Sequence, residues 1–410
     1  MSKDGVDYGM PLTGIRVLAL EHIRMGPSGS KMLAEAGAEV IKIEPPGKGA
    51  LERRMVMDTG GATGVSYLIT SLSHNKKSVT LDLKTERGKE LFKQLVKVSD
   101  VVWENMKPDA MDCLGLGYKD LKEINPRLVY VGLSGFGHKD IYDGPYQERL
   151  AVEPIIQAMS GLMFTAGKEG DPPLVNATYL SDTVSGMVGA YGAMLALYMR
   201  QRTGLGQFVD ISMYDVMVAV NNYAVSVRFR TGSNPPRGEQ FLRGANGVFK
   251  AKDGPVVISV PAGSEEQWSS FWHAIEREDL IENPDLRNPL ERHRNTESIT
   301  RPAIAAWAAE KTVDEIVGLL TARGVPVSPV QDARDILKCP HLRARKMLIE
   351  VQDPVMGKVT EVGNPVKLSG VRELPPGVPP RLGQHNEEIF GGLLGLTTSE
   401  LEELKGSGVT

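Results

Sequence analysis

The sequence predicts an α/β protein, a parallel sheet covered by helices with a smaller α+β domain, from three observations. Short apolar runs alternate with amphipathic segments through the first half of the chain. Residues 183–199 carry no charge at all, and composition turns polar and rich in proline and glycine at 231–240. At 410 residues the chain exceeds one ordinary core, so at least two domains are expected.

Taken in order, residues 15–20 read as a strand, 28–36 as a helix, 39–43 and 78–83 as strands. Leu91, Leu95 and Val98 recur at helical spacing within 86–98, and strands follow at 101–103 and 128–133. Strand and helix thus alternate as in βαβ units, which gather ligands where loops leave the carboxyl ends of the strands. After the uncharged helix, Gly204 and Gly206 mark a stop, and strand character resumes at 208–213. The large domain is expected to span residues 1–225. In the next domain, 226–330, Lys252-Asp253-Gly254 joins two strand-like runs as a hairpin, and helices are expected at 265–276, 297–309 and 313–323. Residues 331–410 are expected to return to the large domain.

Composition narrows the function. Apolar residues make up 41% and charged residues 24%, and a formal charge of -4 leaves no basic excess for nucleic acid. The first residues lack the apolar core of a signal peptide, and Cys113 and Cys339 are the two cysteines, which fits a cytoplasmic protein. The seven histidines show no metal-binding spacing, and no G-x-S-x-G elbow or P-loop is present. Gly26-Pro27-Ser28-Gly29-Ser30 offers only a weak anion site at a helix start. Cys113 has no local signature of a nucleophile, and burial as a small apolar group is expected of it.

The uncharged stretch, SDTVSGMVGAYGAMLALYM (181–199), is nearly long enough to span a membrane. Gly186, Gly189 and Gly192 instead recur every three residues, near one helix face, where a second backbone can approach. A helix buried on all sides of a large domain is expected, with no membrane partner. Asp182, at its start, has two readings. It is a favoured helix cap. Presented in a close-packed, water-poor site, it is also a nucleophile, with helix-start amides steadying negative oxygen.

Seven segments carry a family likeness: LTGIRVLALEHIRMGP (12–27), GAEVIKIEPP (37–46), NKKSVTLDLKT (75–85), WENMKP (103–108), LSGFG (133–137), RTGLGQFVDISMYD (202–215) and PRLGQHNEEI (380–389). Together they resemble class III CoA-transferases of the CaiB/BaiF type, the group of formyl-CoA and carnitine CoA-transferases, and more distantly α-methylacyl-CoA racemase. The resemblance implies a Rossmann-like large domain built from both chain ends, a smaller middle domain and an interlocked homodimer, with a heteromer with a paralogue as the alternative. It implies acyl-CoA and a small carboxylic acid as substrates, CoA entering as substrate with no tightly bound cofactor and no metal. Asp182 matches the aspartate that attacks the thioester to give a mixed anhydride and then an aspartyl-CoA thioester. Its reference pKa near 3.9 implies ionisation at neutral pH without help, the site's task being to exclude water.

Carried over position by position, the resemblance puts Arg24 and Met25 at the first-loop contacts to CoA. Leu81, Asp82, Leu83 and Lys84 fall beside its adenosine end; Asn105, Met106, Lys107, Ser134, Gly135, Phe136 and Gly137 fall along its pantetheine arm. The plainer reading is a surface salt bridge for Arg24 and a solvated face for Lys84 and Lys107. Pro45 and Cys113 stand where formyl-CoA transferase has phosphate-gripping arginines, with Lys42, Lys48, Arg53 and Arg54 as nearby substitutes, and Gly244–Gly247 is the nearest analogue of its glycine lid. Arg24, which replaces a glutamine, points to a dicarboxylate such as succinate as acceptor. Racemases of the group need a histidine where this chain has Val152, so a racemase or isomerase is the second reading and a non-catalytic CoA-binding subunit the third.

Overall fold

Alternation within the strands decides the architecture. In β1 (Arg16–Leu20), Val17 and Ala19 join one hydrophobic core and Leu18 and Leu20 another, all four buried. A strand apolar on both faces belongs in a sheet with helices on both sides. A computed structural model shows such a sheet; it describes residues 9–55, 66–238, 242–260 and 263–410. Residues 1–8 of the amino-terminal stretch expected to carry no signal peptide, and 239–240 of the expected linker, lie outside the described residues.

The chain forms two compact units, one of Met1–Leu162, Val175–Asn222 and Pro340–Thr410, the other of Met163–Leu174 and Tyr223–Cys339. This differs from cuts at 226 and 331: the second unit also takes in 163–174, and the return begins at Pro340.

In the first unit β1 is followed by α1 (Met25–Glu35), β2 (Glu39–Glu44), α2 (Tyr67–Leu72), β3 (Lys76–Thr80), α3 (Glu86–Lys97) and β4 (Val101–Glu104). Short helices α4 (Ala110–Cys113) and α5 (Tyr118–Ile124) lead to β5 (Val129–Ser134). Then come α6 (Glu153–Met159), α7 (Leu162–Thr165), where the chain passes into the second unit, and, back in the first, α8 (Leu180–Thr203), β6 (Phe208–Ser212) and α9 (Met213–Val220). The strands are parallel in the order β3-β2-β1-β4-β5-β6, the Rossmann-like order. One face packs on α1 and α8; the other packs on Leu91, Phe92 and Leu95 of α3 and on Ile389, Phe390, Leu404 and Val409. Compared with expectation, α1 starts three residues earlier, β3 starts two residues earlier and ends three earlier, and α2 and a C-terminal hairpin are additional.

The glycines of α8 do what their spacing suggests. A Cβ on Gly186 would lie 2.4 Å from the Met25 carbonyl oxygen of α1, and one on Gly189 would lie 2.9 Å from the Trp103 ring. The expectation that α8 is buried on all sides is corrected. Met187, Tyr191, Met194, Leu195 and Tyr198 form an apolar stripe at helical spacing, with Tyr191 and Tyr198 each 63% exposed. The glycine side of the helix is the one that α1 and the sheet approach most closely.

The second unit continues from α10 (Asn222–Thr231) into the antiparallel sheet β7 (Gly247–Lys250), β8 (Pro255–Ile258) and β9 (Val327–Pro329). Its helices are α11 (Glu265–Ala274), α12 (Pro289–Arg294), α13 (Arg301–Ala308), α14 (Val313–Ala322) and α15 (Ala333–Lys338), around a core of Trp268, Phe271 and Trp272. Gly244, in the segment compared with a glycine lid, is tied there through its amide and carbonyl to Thr296 and Thr300. The chain then returns to the first unit with α16 (Pro340–Ala344), the hairpin β10 (Leu348–Asp353) and β11 (Gly357–Val362), and α17 (Thr398–Gly406).

Candidate active site

The strand order reverses between β1 and β4, so the chain leaves these neighbours in opposite directions and opens a crevice at their carboxyl ends. Asn105, just after β4, spans it. Its side chain accepts from the His22 amide at 2.9 Å and donates to the His22 carbonyl at 3.1 Å. Ile23, next in the loop, has φ 61°, a left-handed conformation costly for a β-branched residue. Its amide is held by the Glu52 carboxylate at 2.9 Å.

Glu52 belongs to a fully buried ion cluster beneath this loop. Lys42 of β2 donates to Glu52 at 2.6 Å and to the Glu21 carbonyl at 3.2 Å. Lys76 of β3 donates to Glu21 at 2.7 Å, to Ser30 at 2.7 Å and to the Pro27 carbonyl at 3.0 Å. Burial pushes Lys76 down to about 8, against the pull of Glu21. Burial opposes the charge on Glu21 too, but the two lysines hold its carboxyl below the ordinary range. These buried charges, each paired, pin the loop that presents Arg24.

Arg24 donates to the Tyr67 hydroxyl at 3.0 Å, and its guanidinium lies 4.4 Å from the centre of the Tyr179 ring. It is therefore no surface salt bridge. Tyr179, with φ 53°, immediately precedes α8 and brings the start of that helix to Arg24.

Asp182 sits in the first turn of α8, half-buried. It does not cap the helix. Glu153, at the start of α6, accepts from the Ser181 amide at 3.0 Å and the Asp182 amide at 2.7 Å, and also from Gln157 at 2.6 Å. The Ser181 and Asp182 amides, expected to steady negative oxygen, are thus committed to Glu153. Asp182 is also not an ordinary surface carboxylate. Burial first, and the Glu153 charge second, push its carboxyl up to about 7 against the pull of Arg24, so the expectation of full ionisation at neutral pH without help is corrected.

The other expected contacts all lie on loops at the carboxyl edge of the sheet: Leu81–Lys84 after β3, Asn105–Lys107 after β4, Ser134–Gly137 at the end of β5. From β3 to β5 is four strand spacings, about 19 Å, so a ligand touching both is long and runs along the edge. Met25 and Leu81 are packed in the two cores, so they can present only main chain. Met106 is half-buried, and Lys84 and Lys107 are exposed. Of the substitutes for the arginines matched by Pro45 and Cys113, Lys42 is consumed in the buried cluster. Arg53 forks onto Glu44 at 2.6 and 2.8 Å. Lys48 and Arg54 are exposed without an acidic partner among the described residues. Cys113 is exposed rather than buried.

Tyr67, Tyr179 and Glu153 were absent from the expected site. Glu153 was visible only as an acid beside Val152, and nothing in sequence links it to a helix start 28 residues on. A cavity of about 300 Å³, lined among others by Leu12, Met32, Met187, Met194 and Val366, is apolar and includes none of these residues. Among the described residues no group of three or more histidine, cysteine or acidic side chains could hold a metal, and no helix is long and apolar enough to cross a membrane.

A family model described as CoA-transferase family III matches residues 12–386. A formyl-CoA:oxalate CoA-transferase of Streptomyces coelicolor is 34% identical across 97% of this chain and 98% of its own. A succinyl-CoA–D-citramalate CoA-transferase of Chloroflexus aurantiacus is 33% identical across 96% of this chain and 97% of its own. Among solved structures, a CaiB/BaiF family protein from Brucella suis superposes with a TM-score of 0.80 at 28% identity, covering 94% of this chain and 99% of its own. A Mycobacterium tuberculosis protein does so with a TM-score of 0.82 at 29% identity, covering 92% and 98%.

Proposed function

Because the chain belongs to CoA-transferase family III and is a CoA-transferase, we propose that it moves CoA from an acyl-CoA thioester to a carboxylic acid with Asp182 as nucleophile. The observation that carries this reading is the Asp182 carboxyl itself, half-buried at a helix start, pushed up to about 7, and facing an arginine. Partial desolvation leaves the carboxylate poorly stabilised and therefore more nucleophilic than one in water.

The reaction is a relay at one carboxyl group. Asp182 attacks the thioester carbonyl, the C–S bond breaks, and CoA leaves as thiolate from a mixed anhydride. The thiolate attacks the aspartyl carbonyl, giving an aspartyl-CoA thioester and releasing the donor acid. The acceptor carboxylate then attacks that thioester, forming a second anhydride and freeing the thiolate again. Attack of thiolate on the acceptor's carbonyl yields the new acyl-CoA and restores Asp182. Every adduct stays activated, so no external energy source is needed.

Arg24 is the residue that meets the acid. Its guanidinium is braced by Tyr67 and Tyr179, and its buried Nε has no hydrogen-bond partner among the described residues. A dicarboxylate such as succinate offers a distal carboxylate for that donor. Arg24→Gln should then weaken a dicarboxylate acceptor more than a monocarboxylate; equal loss for both removes the idea. Racemisation is not favoured, because Val152, where a racemase would need its histidine, is apolar and 55% exposed.

The apolar stripe of α8 supports a second copy of the chain as its cover, and a homodimer is the proposed assembly; sedimentation of the purified chain measures it. For the covalent route, the protein is incubated with acyl-CoA, trapped with hydroxylamine or borohydride and mapped by peptide mass. Modification at Asp182 is the expected result; full turnover by Asp182→Ala would sink it.

A further inference from the structure

Glu104, Gly132 and Asp210 are lateral neighbours across β4, β5 and β6, Glu104 opposite Gly132 and Gly132 opposite Asp210. The glycine leaves a gap between two carboxylates, and the imidazole of His138 fills it: a Cβ on Gly132 would lie 2.8 Å from His138 Cε1. Nδ1 of His138 is 2.7 Å from Asp210 Oδ1, and Nε2 is 3.8 Å from Glu104 Oε1. The His138 amide also donates to Asp210 at 3.3 Å. Burial opposes charge on the imidazole, yet the Asp210 hydrogen bond and the Glu104 charge raise its pKa. The relay at Asp182 makes no use of this histidine.

His138 closes a turn. The Gly137 amide donates to Ser134 Oγ at 2.8 Å. Gly135 lies so close to Ala151 that a Cβ there would overlap it at 2.1 Å, and Ala151 is two residues before Glu153. Glu104 accepts from the Met106 amide at 2.7 Å, which ties the loop after β4 to the same point.

We propose that His138 is a positioning residue: held between Asp210 and Glu104 over Gly132, it fixes the Ser134–Gly137 turn and the Asn105–Lys107 loop in the arrangement that receives the pantetheine arm of the acyl-CoA. This rests on reading both loops as CoA contacts.

The test uses His138→Leu, His138→Gln and Gly132→Ala in the full chain, checked for folding by thermal melting. CoA transfer is measured with both substrates varied, and amide hydrogen exchange is followed by peptide. In His138→Leu the KM for acyl-CoA should rise about tenfold, the scale of one charge-assisted hydrogen bond, with kcat and the KM for the acid within about twofold of wild type. Exchange at 134–138 should quicken while the β10–β11 hairpin is unchanged. His138→Gln, which keeps one donor, should recover part of the acyl-CoA KM, and it carries the test if His138→Leu does not fold. Gly132→Ala should mimic His138→Leu by evicting the ring. A fall in kcat with both KM values unchanged, as a smaller folded fraction gives, overturns the proposal, as does unchanged exchange at 134–138. Absence of CoA transfer and of any adduct at Asp182 in the wild type would defeat the Asp182 reading by itself, and the exchange data would still decide the role of His138.

Discussion

Two neighbours of Asp182 should move its rate profile in opposite directions. The carboxyl stands at about 7 because burial and the Glu153 charge raise it while Arg24 lowers it. Under the proposed route only the carboxylate attacks, so kcat/KM should climb through neutral pH and level off above it, reporting the ionisation of the free enzyme. With a pKa of about 7, about half of the sites are ionised at pH 7 and about one in a hundred at pH 5. Glu153→Gln removes the like charge, so the rising limb should shift to lower pH. Arg24→Gln removes the opposite charge, and its limb should shift to higher pH. Glu153→Gln also costs the start of α8 a charge-assisted hydrogen bond, about 1.5–3 kcal/mol, because an amide oxygen and an NH2 cannot both accept. Each variant is therefore normalised to its own alkaline plateau, with initial rates of CoA transfer at subsaturating acyl-CoA from about pH 5 to 9. Limbs that stay fixed, or that move together, refute this account of the site's electrostatics.

Other consequences are measurable in stability. The folded pKa of Asp182 lies above its unfolded value, so the folded state binds the extra proton; that stabilisation is complete below about 4 and is lost as pH rises through about 7. Asp182→Asn should therefore be more stable than wild type at pH 8, by up to about 4 kcal/mol, and equal near pH 4, read from urea midpoints at both values. Gly186→Ala should lower stability by about 3 kcal/mol or more, since its Cβ would force α1 from α8, whereas Gly392→Ala, which meets nothing within 4 Å, should be nearly silent in thermal melting. Lys42→Met should cost about 3–5 kcal/mol by leaving Glu52 buried and unpaired. It should also loosen the Ile23 amide in hydrogen exchange.

The parallel sheet was legible because it is buried on both faces: Val17, Leu18, Ala19 and Leu20 are apolar in succession, which few other settings permit. That another backbone approaches α8 closely was legible because only glycine allows it; that the neighbour is α1 was not. The exposure of Tyr191 and Tyr198 was not, since an apolar stripe reads the same in sequence whether the rest of its own chain covers it or leaves it open. The hairpin β10–β11 carries a period-2 signal around Asp353-Pro354 that the sequence reading, which assigns no element beyond 330, does not include. At the site, Asp182 was legible in the sequence by its place at the start of the uncharged helix, and Arg24 through family likeness. Glu153 and Tyr67 were not, because their roles arise from contacts across 29 and 43 residues and leave no local pattern.

The segment that returns to the first unit also governs how the chain can fold. The β3 side of the sheet is completed when Ser78 meets His385, 307 residues later, and when Ile389, Phe390, Leu404 and Val409 cover the apolar face beside α3. At a synthesis rate of about 5–20 residues per second, the early strands wait about 15–60 s for that cover. Throughout that interval the face beside α3 lacks the part of its cover that Ile389, Phe390, Leu404 and Val409 supply, a non-local completion of the kind that slows folding.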